Sequence, residues 1–348
     1  MPTISIDTFF GCALMVSVAL LATAFFVGTM QTRLNGLEDL NKESFLRALA
    51  EHLVTSYGVP TDWGSNGDTS PASFGLSDSG SSNPYELDVD KVGRLNSLNS
   101  FSVSYVEVSE AARLNKIALG ISISPMLSII VEPSRNETSG DATIYTFRLS
   151  VSGRSGPASA KLHSYVVTKD FLTSVNNVTS DSGVGYVSVQ IPNASSGPAL
   201  MVVFARSQFD DRLTSYEVYS FAHLSSEPLS NNSYFDLSPL DYSLTVNPKN
   251  PETIVENSYA FSYGYQSNLT LASENTYSIP ASLDKSPTVL VLRGVNGSSH
   301  FAEWVSYPQI PLQFGADFSG SEENVFTYTV MIKENLYMLT VRFGDVFN

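Results

Sequence analysis

The chain has 348 residues and a formal net charge of −15; 43% of its residues are hydrophobic and only 15% are charged. This acidic balance argues against nucleic acid as a partner, because phosphate binding requires clustered Lys and Arg. The single cysteine, Cys12, rules out an intramolecular disulfide and a metal site built from several thiolates. The length predicts two or three globular units besides any N-terminal segment.

The first predicted element is an apolar helix from Thr8 to Gly28. This stretch carries no charge, and at about 1.5 Å rise per residue it matches the roughly 30 Å of a bilayer core. No basic residue precedes it, so we expect the segment to be retained, with a removed signal peptide as the alternative.

Small residues recur four apart within this stretch, which lets helix backbones approach closely in an apolar medium. An ordinary membrane anchor with scattered small residues is the open alternative. Asp7, ahead of the two Phe residues, is expected to need a partner or the lipid headgroups. The predicted helix-assembly residues are Asp7, Phe9, Phe10, Gly11, Ala13, Ser17, Ala24 and Gly28.

The pattern then becomes amphipathic from Leu34 to Tyr57, with Leu37, Leu40, Phe45, Leu49 and Leu53 at near-helical spacing. Gly58 and Pro60 are helix stop signals. The sequence therefore predicts one long helix over residues 1–58, whose first half is apolar and whose second half is amphipathic and solvated.

Three phrases follow the predicted helix: GVPTDWG over 58–64, Phe74-Gly75-Leu76, and YELDVDKVGRL over 85–95. Together with the apolar start, they give residues 1–120 a resemblance to archaeal type IV pilin-like proteins. The resemblance implies a filament core of α-helices with globular β-domains displayed outside. The chain departs from the family in having no prepilin peptidase site, and in having Asp7 where Glu is more usual.

Residues 59–118 are predicted to be a connector with an exposed loop and two short helices. The predicted helices are Asp88–Leu98, capped by Asp88, and Val103–Ala118, capped by Ser102 or Ser104. Calcium binding at the alternating acids Glu86, Asp88 and Asp90 is a weaker alternative, because the EF-hand spacing is absent.

From Leu119 the hydrophobic period switches to two. Strands over 119–226, among them Ala142–Gly153 and Ala160–Thr168, and again over 240–348 predict two immunoglobulin-like β-sandwich domains. The polar stretch 225–239 is the predicted boundary between them. The predicted fold class is therefore α+β: a long N-terminal hydrophobic helix followed by two sandwiches.

Six Asn-x-Ser/Thr sequons are candidate N-glycosylation sites: Asn136, Asn177, Asn193, Asn231, Asn268 and Asn296. The sequence predicts no catalytic residue, no cofactor and no metal site. His163 and His223 are expected to be ordinary strand residues, and the acid pair Asp210 and Asp211 to be solvated. Two carboxylates of a glycosidase brought together by the fold remain an alternative. Alternating aromatics, Tyr259, Phe261, Tyr263 and Tyr265, indicate a strand core or a surface for a sugar or partner.

These patterns predict a structural subunit of an extracellular, type IV pilus-like filament at the cell surface. Its partner would be further copies of itself, with insertion in the membrane before assembly and contact with surface glycans or other cells afterwards. The alternative is a membrane-anchored surface glycoprotein or adhesin that does not polymerise.

Overall fold

The computed structural model describes residues 14–18, 20–21, 25, 42–114, 117–226, 231–281, 287–318 and 323–345. The chain divides into two compact units, Met1–Glu51 and His52–Asn348. In the first unit, residues 14–18, 20–21, 25 and 42–51 are helical. In the second, residues 52–55 continue the helical run, and two short helices follow at Val89–Gly93 and Tyr105–Ala111.

Strands make up most of the second unit. They are β1 Ile117–Pro125, β2 Leu127–Ser139, β3 Ala142–Gly153, β4 Gly156–Pro157, β5 Ala160–Val167, β6 Leu172–Val178, β7 Val184–Pro192, β8 Gly197–Ser207, β9 Thr214–His223, β10 Phe235–Leu240, β11 Ser243–Pro248, β12 Thr253–Ser262, β13 Tyr265–Asn268, β14 Thr270–Ser273, β15 Thr276–Ser278, β16 Thr288–Asn296, β17 Ser299–Tyr307, β18 Leu312–Gly315, β19 Glu323–Ile332 and β20 Asn335–Asp345.

The predicted α+β class is therefore wrong: the described chain is predominantly β-sheet, and it shows no long apolar helix at its N-terminal end. The prediction of a transmembrane helix is also wrong. No helix in the described part of the chain is long and apolar enough to cross a membrane. The two connector helices are shorter than the predicted ranges Asp88–Leu98 and Val103–Ala118. The first has five residues, Val89–Gly93, and the second has seven, Tyr105–Ala111.

The described strands form five sheets, four of which lie in face-to-face contact, and the buried clusters between them show the order of the layers. A first core joins sheet β2-β3-β4, with β7 beside β3, to sheet β6-β5-β8-β9. A second core joins β5 and β8 to β12 and β16 of sheet β13-β12-β16-β17. A third joins that sheet to β10-β11-β15-β14. The second and third sheets are therefore covered on both faces.

The covering of both faces explains the composition of the central strands. Residues 197–205 of β8 are all buried, and so are residues 288–294 of β16. Interior strands of this kind carry continuous apolar runs, whereas a strand with one solvent-exposed face alternates apolar and polar residues. Tyr165 lies in this central layer, stacks on Phe261 at 4.6 Å and donates a hydrogen bond to the carbonyl of Ser262.

The fifth sheet has the order β18-β1-β20-β19 and joins sequence-distant parts of the chain. β1 pairs along its full length with β20, from Ile117 opposite Asp345 to Pro125 opposite Tyr337. The predicted ranges 119–226 and 240–348 place these two strands in different domains. The connector adds to this sheet, because the amide of Leu87 donates to the carbonyl of Met331 in β19.

Candidate functional site

The described helical residues within 14–25 expose apolar side chains on several sides. Leu14, Met15, Val16, Val18, Leu20, Leu21 and Phe25 are 58–77% exposed. Consecutive helical positions point about 100° apart, so Leu14, Met15 and Val16 point to three different sides of the turn. A helix with apolar residues on most of its circumference is normally buried. These residues are the strongest sign of a missing apolar contact in the described chain.

Of the predicted assembly residues, only Ser17 lies within the described part, where it is helical and exposed. Asp7, Phe9, Phe10, Gly11, Ala13, Ala24 and Gly28 lie outside the described residues. Of the predicted amphipathic face, Leu53 is buried and Leu49 half-buried, whereas Phe45 is 58% exposed; Leu37 and Leu40 lie outside the described residues. Leu46, Ala50 and Val54 are buried as well.

Three sequon asparagines, Asn136, Asn177 and Asn268, are exposed on strands, and Asn296 is half-buried at the end of β16. The side-chain amide of Asn177 donates to the carbonyl of Tyr186. The side-chain carbonyl oxygen of Asn296 accepts a hydrogen bond from the hydroxyl of Thr253.

The amide of Asn231 is used within the fold. Its Nδ2 donates to the carbonyl of Trp304 and its Oδ1 accepts from the amide of the same residue, both at 2.9 Å. The neighbouring buried Glu303 accepts from the amides of Ser233, Tyr234 and Phe235. Burial raises the pKa of Glu303, against the lowering effect of these amides. These contacts tie residues 231–235 to β17, so a glycan on Nδ2 of Asn231 would break one of them.

The Asn193 side chain is also engaged. Its Nδ2 donates to the carbonyl of Gly140 and its Oδ1 accepts from Thr143. The sequon hydroxyl, Ser195, is buried. Asn136 and Asn268 are therefore exposed, the amides of Asn193 and Asn231 are bonded at turns of the fold, and Asn177 is exposed with its amide bonded.

The three phrases that carry the resemblance form a folded core in the connector. Trp63 is fully buried and donates from Nε1 to the carbonyl of Gly75 at 3.2 Å. Gly58 has φ +71°, and a Cβ there would lie 2.6 Å from the carbonyl oxygen of Ser73. A larger residue at position 58 is therefore strained both by its backbone angle and by the space available.

Arg94 clamps the connector loop. Its guanidinium donates to the carbonyls of Trp63, Asn66, Gly67, Thr69 and Phe101, and it lies 5.6 Å from the Trp63 ring centroid. Only 2% of Arg94 is exposed. Since these donor bonds are satisfied inside the fold, the arginine organises the loop and is not available to a ligand.

Lys91, one helical turn before Arg94, also binds backbone carbonyls. Its ammonium donates to the carbonyls of Tyr57 and Ser77, at 3.0 and 2.8 Å, and lies 3.8 Å from the Asp88 carboxylate. Burial lowers the pKa of Lys91, and the charge of Asp88 acts in the opposite direction. Asp88 caps the helix by accepting from the amides of Asp90 and Lys91, as predicted from the sequence.

A buried polar cluster joins the connector to two hairpin turns. The Asp90 carboxylate accepts from the hydroxyl of Tyr307 at 2.8 Å and from the amide of Asp241 at 3.0 Å. The Lys333 ammonium lies 4.2 Å from the Tyr242 ring and 4.1 Å from the Tyr307 ring. Burial lowers the pKa of Lys333 to about 8, and burial raises that of Asp90. Each group has a partner inside the fold, which indicates a structural junction.

The acid pair, the possible metal ligands and the aromatic stripe considered from the sequence form no common site in the described residues. Asp210 pairs with Arg212, which lowers the pKa of the carboxyl. In the described ranges, no group of three or more His, Cys, Asp or Glu residues is placed to hold a metal ion. The predicted aromatic stripe is split, because β12 ends at Ser262; Phe261 is buried while Tyr265 is exposed.

Sequence reasoning missed an aromatic cluster at the edge between β2 and β9. A cleft of about 280 Å³ there is lined by Asn136, Tyr145, Tyr219 and Phe221, among others. Its members come from three strands, each with an ordinary alternating pattern, so no single stretch of sequence marks it. The one local signal is the sequon at Asn136.

The comparisons with known proteins give little to add to this geometry. No protein-family model matches the chain, and no curated protein matches it. Among solved structures it is similar to HBP35 of Porphyromonas gingivalis, at 10% identity and TM-score 0.19, over 52% of this chain and 63% of that one. It is also similar to human GIVD cytosolic phospholipase A2, at 9% identity and TM-score 0.16, over 66% of this chain and 33% of that one. The chain spans less than two thirds of either structure, and likenesses this weak carry no argument about function.

Proposed function

We propose that this protein is a structural subunit of an extracellular filament, in which copies associate through the apolar N-terminal segment. The observation that supports the proposal is the set of apolar helical side chains within residues 14–25 that are 58–77% exposed. Side chains of this kind in water are a large unfavourable surface, and they mark an association site.

The energies favour association. Fully burying a Val, Leu, Phe or Met side chain contributes about 1.5–3 kcal/mol, so seven such residues contribute on the order of 10–20 kcal/mol. Association costs an estimated 4–15 kcal/mol in lost freedom. A second copy of the same segment offers the same apolar surface. If the contact between copies is head-to-tail and does not close, it generates a fibre.

The composition of the β-rich unit suits an outward-facing role. The chain has a net charge of −15, which keeps the folded units soluble and mutually repelling. Three sequon asparagines are exposed. Association is therefore expected to run through the N-terminal segment.

Electron microscopy and sedimentation of the full chain, isolated from the cell surface without detergent, test the proposal. We expect fibres and fast-sedimenting particles of a single protein. Recovery of monodisperse single chains would overturn the filament proposal and favour a surface glycoprotein or adhesin that does not polymerise.

A further inference from the structure

A β-bulge in β2 turns a sequon toward the inner face of its sheet. Up to the bulge, Ile129 and Val131 face the core and Pro133 lies opposite Phe147; beyond it, Arg135 lies opposite Thr146 and Asn136 opposite Tyr145. Without the extra residue Ser134, strand alternation would point Asn136 to the outer face. Bulges re-aim side chains in this way.

The register brings Asn136 next to an aromatic ring. Side chains directly opposite each other on antiparallel strands lie on the same face, with Cβ atoms about 4.5–5.5 Å apart. Tyr145 is therefore the cross-strand neighbour of the sequon asparagine. Asn136 itself is exposed.

Tyr145 belongs to a packed aromatic cluster. Its ring lies 5.1 Å from Phe221 and 6.3 Å from Phe147, and Phe147 lies 5.7 Å from Tyr219. Phe147 and Phe221 are buried in the core, while Tyr145 and Tyr219 are half-buried.

A buried histidine fixes the orientation of the Tyr145 ring. The Tyr145 hydroxyl lies 3.0 Å from Nδ1 of His223, and Nε2 of His223 lies 3.0 Å from the carbonyl oxygen of Pro192. A carbonyl can only accept, so Nε2 carries the proton and Nδ1 accepts from the tyrosine hydroxyl. The ring is held in place with its polar atom satisfied.

We propose that an N-linked glycan on Asn136 lays its first sugar ring in this cleft, against the face of Tyr145. The sequon Asn136-Glu137-Thr138 supplies the attachment point, and the cleft of about 280 Å³ that Asn136 and Tyr145 share supplies the space. The face of an aromatic ring is electron-rich and apolar, which suits the polarised C–H face of a pyranose. The inference rests on the extracellular location in the proposed function, and it is independent of filament formation.

The contact would make the Asn136 glycan part of the fold. Three other sequons provide comparisons: Asn268 is exposed on β13, whereas the amides of Asn193 and Asn231 are bonded within the fold. We expect glycan at Asn136 and Asn268, and protection from glycosidase only at Asn136.

Glycopeptide mapping of the full chain from the cell surface, followed by timed glycosidase release from the native protein, tests this inference. Release at Asn136 is expected to be several-fold slower than at Asn268. Removing the glycan is expected to lower the Tm by about 2 °C, within the range for a single contact in a large domain.

Tyr145→Leu removes the ring, Tyr145→Phe keeps it, and Tyr186→Leu removes a 53% exposed ring from β7. The protection and the Tm difference should vanish in Tyr145→Leu alone. Phe221→Leu gives a second test if Tyr145→Leu folds poorly, and it should weaken the protection. An unmodified Asn136, or equal behaviour of Tyr145→Leu and Tyr186→Leu, would overturn the inference. Failure of filament formation with the Asn136 protection intact would leave this inference standing and count against the proposed function.

Discussion

Replacing two exposed leucines of the N-terminal segment should weaken self-association without unfolding the protein. Leu14 and Leu21 are both 70% exposed. Burying the exposed 70% of a leucine contributes about 1–2 kcal/mol, from roughly 1.5–3 kcal/mol for a full side chain. Leu14→Ser with Leu21→Ser therefore costs about 2–4 kcal/mol per contact. Since 1.4 kcal/mol is tenfold, the association constant should fall by about 30-fold to 1,000-fold.

Analytical ultracentrifugation of the full chain over a concentration series measures this effect. The matched control replaces two exposed leucines of the β-rich unit, Leu98→Ser with Leu271→Ser, which are 64% and 56% exposed. The control should associate as the parent does. Equal weakening by both double variants, or none by either, would refute the assignment of association to the apolar segment.

Three further predictions concern the fold. Arg94→Met leaves several part-buried carbonyls of the connector loop without donors and should lower the free energy of unfolding by about 3 kcal/mol in urea titration. Arg135→Met, at a 69% exposed position, should change it by less than about 0.5 kcal/mol, and a similar loss in both would contradict the clamp. Asn231 should be found unmodified by glycopeptide mapping, and Asn231→Leu should cost about 1–3 kcal/mol of stability, because the backbone of Trp304 loses two partners; a fully occupied Asn231 in the folded protein would argue against this role. Burial lowers the pKa of Lys333 to about 8 from 10.5, so the folded protein holds this proton less tightly than the unfolded chain, and stability should rise with pH above about 8, by up to about 2 kcal/mol at pH 9.5. Lys333→Met should abolish that rise between pH 7 and 9.5, and its persistence in the variant would assign it to another group.

The positions of many strands follow directly from the sequence. Alternation predicts a strand over Ala142–Gly153, which is β3 residue for residue, and another over Ala160–Thr168, which is β5 to within one residue. β3 alternates because one of its faces is covered and the other is more exposed, whereas β5, in a sheet covered on both faces, alternates only in its first half.

The layering of the sheets could not be predicted in the same way. The apolar run of β8 fits a sandwich strand, but its continuity is the sign of burial on both faces. The pairing of β1 with β20 joins residues more than 200 apart in sequence, and no local pattern records it. The predicted long helix failed because apolar character and the absence of Pro set a preference, whereas helix length depends on what the residues contact.

The candidate site was predictable only in part. The sequons and the apolar segment can be read from residue types, but the use of an asparagine amide is decided by the fold, as at Asn231. Plain alternation places Asn136 on the outer face of β2, and only the bulge at Ser134 brings it beside Tyr145. A one-residue irregularity of this kind reverses the facing of every residue that follows.

Site-specific cross-linking at position 25 most directly tests the central claim, because Phe25 is 76% exposed in the apolar segment. A photoreactive phenylalanine derivative replaces Phe25 in the full chain, and cell-surface material is irradiated and analysed by mass spectrometry. We predict cross-links from residue 25 of one copy to the apolar segment of another. Cross-links to lipid or to unrelated proteins, with none between copies, would contradict the account.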